Sequence, residues 1–262
     1  MKMNSLYEKY IKTESLPTLF CPGCGNGIIQ MATIRAIEAM GIAKDIACVS
    51  GIGCSSWIPC YFKLDVMHTM HGRAIPFATG LKMAQPDKKI VVFTGDGDCL
   101  AIGGNHFLHA CSRNIDLTIV MVNNYIYGMT GGQKSPATPL NAVTKTSPFG
   151  CIDDPIDGCL LAQTMGASYV ARWTTAHPVQ LEKAIREGIE NKGLSYIEVL
   201  SQCPVQAGKS VYGEKDPAAI MKMYKKAEKE GTVNIGLFKH DDQRKDYLTR
   251  VNECLVEKGM EV

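Results

Sequence analysis

Two oxygen-bearing side chains stand 28 residues apart in a pattern suited to a divalent cation: Asp96, in Gly95-Asp96-Gly97-Asp98, and Asn124, in Asn123-Asn124. A β-branched apolar run, Ile90 to Thr94, ends in the first, and a second run, Leu117 to Val122, ends in the other. The spacing is about the length of one βαβ unit. Parallel strands joined by a right-handed crossover end on the same edge of their sheet, so Asp96 and Asn124 are expected to meet there. One carboxylate and one amide do not cage an ion alone. Mg²⁺ would draw its other ligands from water, a backbone carbonyl and a phosphorylated cofactor. Gly95 and Gly97 let the backbone approach a phosphate group closely. A helix expected to start near Ile102 would aim its amino end at that negative charge. A lone Gly-Asp-Gly is often just a turn; the flanking strands, the asparagine pair and the glycine-rich tail make a binding site the better reading.

A second constellation is sulfur-based. Cys21 and Cys24 form a C-x-x-C bite in CPGCG, Cys54 follows the apolar run at 46–50, and Cys203 follows the run at 195–200. Four thiolates with no histidine among them suit an Fe–S cluster or a structural zinc. Zinc ribbons usually supply two C-x-x-C knuckles. Here there is one knuckle plus two single cysteines 149 residues apart, which favours a cluster built across a finished fold. Buried structural cysteine is the plain alternative. It holds for Cys48, Cys99, Cys111, Cys151 and Cys159 and leaves Cys60 and Cys254 open.

The elements that must position these groups alternate strand-like runs with helical periodicity, which predicts an α/β fold with a mostly parallel sheet covered on both faces. Residues 27–40 carry Ile28, Met31, Ile34 and Ile37 on one helical face, closed by Gly41. Strands are expected at 46–50, 90–94, 117–122, 168–172 and 195–200, and helices at 72–84, 102–112, 154–165 and 178–191. The stretch 128–150 reads as a long functional loop. After Tyr212 come two charge-laced amphipathic segments with IGLFK between them. We take 1–211 as a cofactor- and cluster-binding domain and 212–262 as an extension. The extension is either a solvated cap or a partner-docking piece whose stripe of Ile220, Met223 and Tyr224 another chain covers.

Composition excludes several classes. The chain has 262 residues, 45% of them hydrophobic and 21% charged, with a net charge of +2. That balance fits one large soluble domain and gives no sign of nucleic acid or membrane partners. No apolar run reaches spanning length, and the first residues lack a signal-peptide core. Eleven cysteines without a secretory signal point to reduced thiols or metal ligation in the cytoplasm.

The GDG and NN pair resembles the thiamine diphosphate-binding motif. The longer string GDGDCLAIGGNHFLHACSRN…NNYIYGMTGGQKSP resembles the β subunit of 2-oxoacid:ferredoxin oxidoreductases, the 2-oxoglutarate type above all. The resemblance spans roughly residues 15 to 210. It implies a [4Fe-4S] cluster on Cys21, Cys24, Cys54 and Cys203, and Mg²⁺ on Asp96, Asn124 and the backbone carbonyl of Ile126. It places the cofactor against Gly53, Cys54, His71, Gly72, Arg73, Gly95 to Asp98, Asn124, Ile126, Gly128, Met129 and Thr130, with His68 a weaker candidate. Trp57 and Lys63 lie near where a substrate carboxylate would dock. The implied activity is coenzyme A-dependent oxidative decarboxylation of a 2-oxoacid, or the reverse carboxylation, with electrons leaving through the cluster to ferredoxin. Thiamine enzymes activate the aminopyrimidine through a glutamate on a second related domain, which this chain has no room for. An α subunit carrying that glutamate is therefore expected, with small γ and δ subunits as further partners of the family. Pyruvate, branched-chain and aryl 2-oxoacids are alternative substrates. A non-oxidative thiamine-dependent decarboxylase subunit would keep Asp96 and Asn124 but have no use for four placed thiols. A zinc-stabilised scaffold would bind no thiamine diphosphate.

Overall fold

A computed structural model describes residues 5–260. After a short helix α1 (Ser5–Tyr10), α2 (Asn26–Met40) leads into β1 (Ile46–Ser50), a short α3 (Trp57–Cys60) and β2 (Asp65–His68). Next come α4 (Ala74–Ala84), β3 (Lys89–Gly95), α5 (Gly104–Arg113) and β4 (Thr118–Asn123). A small antiparallel pair, β5 (Ile126–Tyr127) and β6 (Gln133–Lys134), opens the long loop. The chain continues through α6 (Gly158–Met165), β7 (Tyr169–Thr174), α7 (Pro178–Glu190) and β8 (Ser195–Leu200). It ends with α8 (Pro217–Lys229), β9 (Gly236–His240) and α9 (Tyr247–Glu257).

Seven strands form one sheet in the order β2-β1-β3-β4-β8-β7-β9, parallel except for β9, which runs antiparallel against β7. Every residue of β1, β4 and β8 is buried. Such strands, covered on both faces, are why the sequence shows continuous apolar runs here and not alternation. One core packs α1, α2, α3 and α7 on one face; a second packs α4, α5 and α6 on the other. From β1 the chain moves outward to β2, then returns to the other side of β1 as β3. This reversal opens a crevice at the carboxyl ends of β1 and β3, where open α/β sheets bind ligands. Cys54 follows β1 and Asp96 follows β3.

Three expectations are revised. Helical structure starts directly after Asp96, as a π-type turn over Gly97–Ile102, and the α-helix proper begins at Gly104. The amino end nearest Asp96 is therefore this wide turn, not a helix starting near Ile102. The IGLFK segment, expected only to lie between two amphipathic segments, supplies Gly236 to Lys239 to β9, which completes the sheet edge. The predicted docking stripe is largely covered by the chain itself. Ile220 and Tyr224 are buried against Ala176 and Leu200, and only Met223 stays exposed. The cause is that α8 lies back on the carboxyl ends of β7 and β8.

Candidate active site

The residues after β1, β3 and β4 enclose a cavity of about 180 Å³. Its lining includes Gly53, Cys54, His71, Gly95, Asp96, Gly97, Asp98, Asn124, Ile126, Gly128, Met129 and Thr130, all singled out from the sequence. Asp96 is only 2% exposed. Its Oδ2 accepts a hydrogen bond from Ser135 Oγ at 2.5 Å. Burial pushes the carboxyl up to about 7, against the opposing pull of the Ser135 hydroxyl. The backbone N–H groups of Gly97 and Asp96 pull it down as well, and a buried carboxylate on a cavity wall is a candidate cation ligand. Asn124 and Ile126 line the same cavity. Close approach decides one glycine: a Cβ on Gly97 would lie 2.1 Å from the Tyr127 ring.

Asp98 does a different job from its neighbour. Its Oδ1 accepts the Gly72 N–H at 2.7 Å, its Oδ2 accepts the Thr94 hydroxyl at 2.7 Å, and His71 Nδ1 stands 2.6 Å away. Oδ1 also accepts the Ile52 N–H at 3.4 Å, so Asp98 pins the loops after β1 and β2 to the turn after β3, acting on the site through the loops it holds. His71 reaches the cavity wall, but Gly72 and Arg73 do not. Arg73 is exposed and contacts His106 of α5. Lys63 is turned away altogether, its Nζ donating to the Glu8 carbonyl at 3.0 Å. His68 bonds Ser50 Oγ at 3.0 Å and stacks on Trp57 with ring centroids 6.3 Å apart.

A second cavity, about 280 Å³, is lined by Cys21, Cys24, Cys54 and Cys203 together with Trp57, Phe20 and Leu19. It shares Cys54, Asn124, Gly128 and Met129 with the first. Short hydrogen bonds stitch its walls together. Gly25 N–H donates to the Gln202 carbonyl at 3.1 Å, and Asn26 Nδ2 donates to the Cys54 carbonyl at 3.0 Å. Gly23, at φ 76, leaves room for Pro217 of α8; a Cβ there would lie 2.1 Å from the proline ring. All eleven cysteines are free thiols.

Burial first, and then the neighbouring thiols, push Cys24 up to about 12 and Cys54 up to about 11, and burial raises Cys203. As thiolates they would need positive charge among them. A tetrahedral zinc with Zn–S of about 2.3 Å would bring its sulfurs within about 3.8 Å of one another. Among the described residues, the one group of three or more potential ligands within 4.8 Å is Asp157, Cys159 and Glu198. The four cysteines line one cavity together. The Asp157–Glu198 group already holds a cation, because Arg172 bonds both carboxylates.

Sequence reading assigned no role to Ser135, Tyr127 and Thr94, although the first two lie in the NNYIYGMTGGQKSP string, because their roles come from tertiary contact. The raised carboxyl of Asp96 has a consequence for the metal-free chain. A group whose pKa is higher folded than unfolded stabilises the fold fully at low pH and loses that contribution as pH rises through the folded value. Thermal melts should therefore show stability falling between about pH 4 and about 7. Asp96→Asn should lack that part of the slope, and identical slopes in both proteins would show that Asp96 titrates normally.

Comparison with known proteins places this geometry. Residues 51–199 match the family described as "Thiamine pyrophosphate enzyme, C-terminal TPP binding domain", so the fold and the Asp96 cavity define a thiamine diphosphate-binding domain. Two similar proteins carry the name 2-oxoglutarate synthase subunit KorB. The one from Methanocaldococcus jannaschii is 55% identical over 83% of this chain and 80% of its own length. The one from Methanothermobacter marburgensis is 47% identical over 97% and 93%. A solved structure, the 2-oxoglutarate:ferredoxin oxidoreductase from Magnetococcus marinus with 2-oxoglutarate, coenzyme A and succinyl-CoA bound, superposes with a TM-score of 0.85 at 32% identity, covering 97% of this chain and 91% of that one. The chain belongs to the β subunits of the 2-oxoacid:ferredoxin oxidoreductases. Among the described residues no helix is long and apolar enough to cross a membrane.

Proposed function

We propose that this subunit carries thiamine diphosphate, Mg²⁺ and a [4Fe-4S] cluster in an enzyme that converts 2-oxoglutarate and coenzyme A to succinyl-CoA and CO₂, passing two electrons to ferredoxin, or runs the reverse carboxylation. The observation that carries the reading is the shared wall: Cys54, Asn124, Gly128 and Met129 border both cavities. Asp96, Asn124 and the Ile126 carbonyl would hold Mg²⁺, and the backbone at Gly95 and Gly97 would lie against the diphosphate. Cys21, Cys24, Cys54 and Cys203 would hold the cluster. Thiamine diphosphate supplies, when bound, the carbanion chemistry that releases CO₂, and a cluster on the four cysteines would supply a one-electron acceptor.

The chain's own residues do the positioning. Asp98 fixes the two loops that close the cavity, and Ile52, Val122, Ile126 and Met129 keep its wall apolar. Among the described residues no glutamate lines either cavity. We assign the activating glutamate, and much of the coenzyme A site, to the α subunit, with ferredoxin as acceptor and the cytoplasm as the setting. In this reading 1–211 is the cofactor-binding body and 212–262 an extension toward the partner. Consistent with that, α9 buries none of its side chains fully and leaves Val256 exposed. The purified complex should reduce ferredoxin with 2-oxoglutarate and coenzyme A in preference to other 2-oxoacids, and this chain alone should not. Full turnover by the isolated chain, or preference for pyruvate, would overturn the respective part of the reading.

A further inference from the structure

The turn bearing Asn124 and Ile126 is one the backbone does not favour. Tyr125, between them, has φ 68, a left-handed conformation that a bulky side chain adopts only when its surroundings impose it. Three contacts impose it. Asn123 Oδ1 accepts the Tyr125 N–H at 3.1 Å, Thr138 Oγ1 donates to the Tyr125 carbonyl at 2.5 Å, and the Tyr125 ring lies 6.0 Å from that of Tyr212. The first depends on which way the Asn123 amide faces. That is set from beneath, because Asn123 Nδ2 donates to Glu198 Oε1 at 2.7 Å.

Glu198 sits in the middle of β8 and is 2% exposed. Its other oxygen accepts Arg172 Nε at 3.1 Å, Arg172 Nη2 at 2.9 Å and the Cys159 thiol at 3.4 Å. Arg172 is held in turn by Asp157 at 2.6 Å and lies over the Phe238 ring of β9 at 5.6 Å. A buried ion pair is a poor device for stability, since desolvation offsets most of its attraction. This one leads by an unbroken line of hydrogen bonds to the Asn124 turn.

We propose that Glu198, itself oriented by Arg172, is a positioning residue for the metal-binding turn. It fixes the Asn123 amide, which holds Tyr125 left-handed and so sets Asn124 and the Ile126 carbonyl toward Asp96. The inference rests on the reading of Asp96, Asn124 and Ile126 as the Mg²⁺ site.

The chemistry of Glu198→Gln makes the idea testable. Arg172 offers only donors, so the introduced amide must turn its oxygen to Arg172 and its NH₂ to Asn123. Asn123 must then flip to accept, which points its own NH₂ at the Tyr125 N–H, donor against donor. In Asn123→Asp both side-chain oxygens accept, so the Tyr125 contact survives but a carboxylate meets Glu198. Combining the two changes restores a matched set.

The experiment is titration of the cofactor-stripped complex, with its partner subunit, by Mn²⁺ at saturating thiamine diphosphate, following free Mn²⁺ by electron paramagnetic resonance. Each single variant should weaken Mn²⁺ tenfold or more, the scale on which groups orienting a metal ligand act. The double variant should recover most of the loss. Asp116→Asn, which breaks the buried Lys82–Asp116 pair just ahead of β4, should lower the melting temperature and leave Mn²⁺ affinity unchanged. Wild-type affinity in Glu198→Gln overturns the proposal, as does an equal loss in Asp116→Asn or a double variant no better than the singles. Tighter binding in Asn123→Asp alone would show that added charge, not orientation, governs the site. If Glu198→Gln does not accumulate folded, Arg172→Lys, which loses the two-pronged grip on Glu198, carries the same expectation and the same refutation. A wild-type complex that binds no Mn²⁺ removes the metal site itself, and the inference falls with it.

Discussion

Asp96→Asn should leave a folded complex that no longer retains thiamine diphosphate in Mg²⁺. The amide is nearly isosteric and can still accept from Ser135, whose hydroxyl lies 2.5 Å from the carboxylate, so the local structure has little reason to change. What disappears is the negative charge. In a site where the side chain is 2% exposed, that charge would be the principal protein contribution to holding a divalent ion in the proposed site, because Asn124 and the Ile126 carbonyl would offer only dipoles. Without the ion the diphosphate loses its counter-charge, and ferredoxin reduction should fall on the order of a thousandfold, about 4 kcal/mol in barrier terms. Equilibrium dialysis of thiamine diphosphate with and without Mg²⁺ measures the binding directly. Wild-type protein in excess chelator should behave like the variant. Cofactor retention unaffected by the substitution would remove Asp96 from the metal site.

Cys24→Ser should separate the two halves of the chemistry. Cys24 is half-buried beside three other thiols, and burial and those neighbours together raise it to about 12. It is therefore a poor free thiolate and becomes a ligand only when a metal supplies the compensating charge. A serine hydroxyl is a harder and weaker ligand for iron. The variant should still bind thiamine diphosphate, since the Asp96 cavity touches the cysteine cavity only through Cys54, Asn124, Gly128 and Met129. Its iron and labile sulfide should drop well below the roughly four of each per chain of an intact cubane, with the visible absorption bleached. Ferredoxin reduction should fall on the order of a hundredfold or more. Cys111→Ser, at a fully buried cysteine of α5, should keep its iron. Zinc in place of iron in the wild-type protein, or full iron in Cys24→Ser, would refute the cluster assignment.

The legible residues are those that sit where an apolar run stops. Asp96, Asn124, Cys54 and Cys203 each follow a strand that is buried along its whole length or nearly so, and parallel topology alone brings such strand ends together. Ser135 escaped notice although it lies in the NNYIYGMTGGQKSP string, and Glu198 because nothing local marks it. One meets its partner across 39 residues of sequence and the other across 75. Arg73 is a different case. An arginine beside a helix start is a sound general signal for phosphate; here its side chain meets His106 of α5, and the cavity lining takes His71 from the same loop. Residues Ile220 and Tyr224 form a real apolar stripe, and periodicity cannot say whether the surface that covers it belongs to another chain or to the same one. The segment after Tyr212 read as helices with a connector, because five residues in a half-exposed edge strand carry little alternation.

Pro217 against Gly23 has a consequence for how the subunit is made. Cys21 leaves the ribosome 182 residues ahead of Cys203, and Pro217 follows 14 residues later still. For most of synthesis the CPGCG knuckle is thus an exposed dithiol with no finished pocket behind it. The wall that receives it and the proline that closes over it arrive almost together. Under the proposed cluster assignment, the pocket that would receive the metal is complete only after Cys203 and Pro217 have emerged, so loading would come late in the life of the chain.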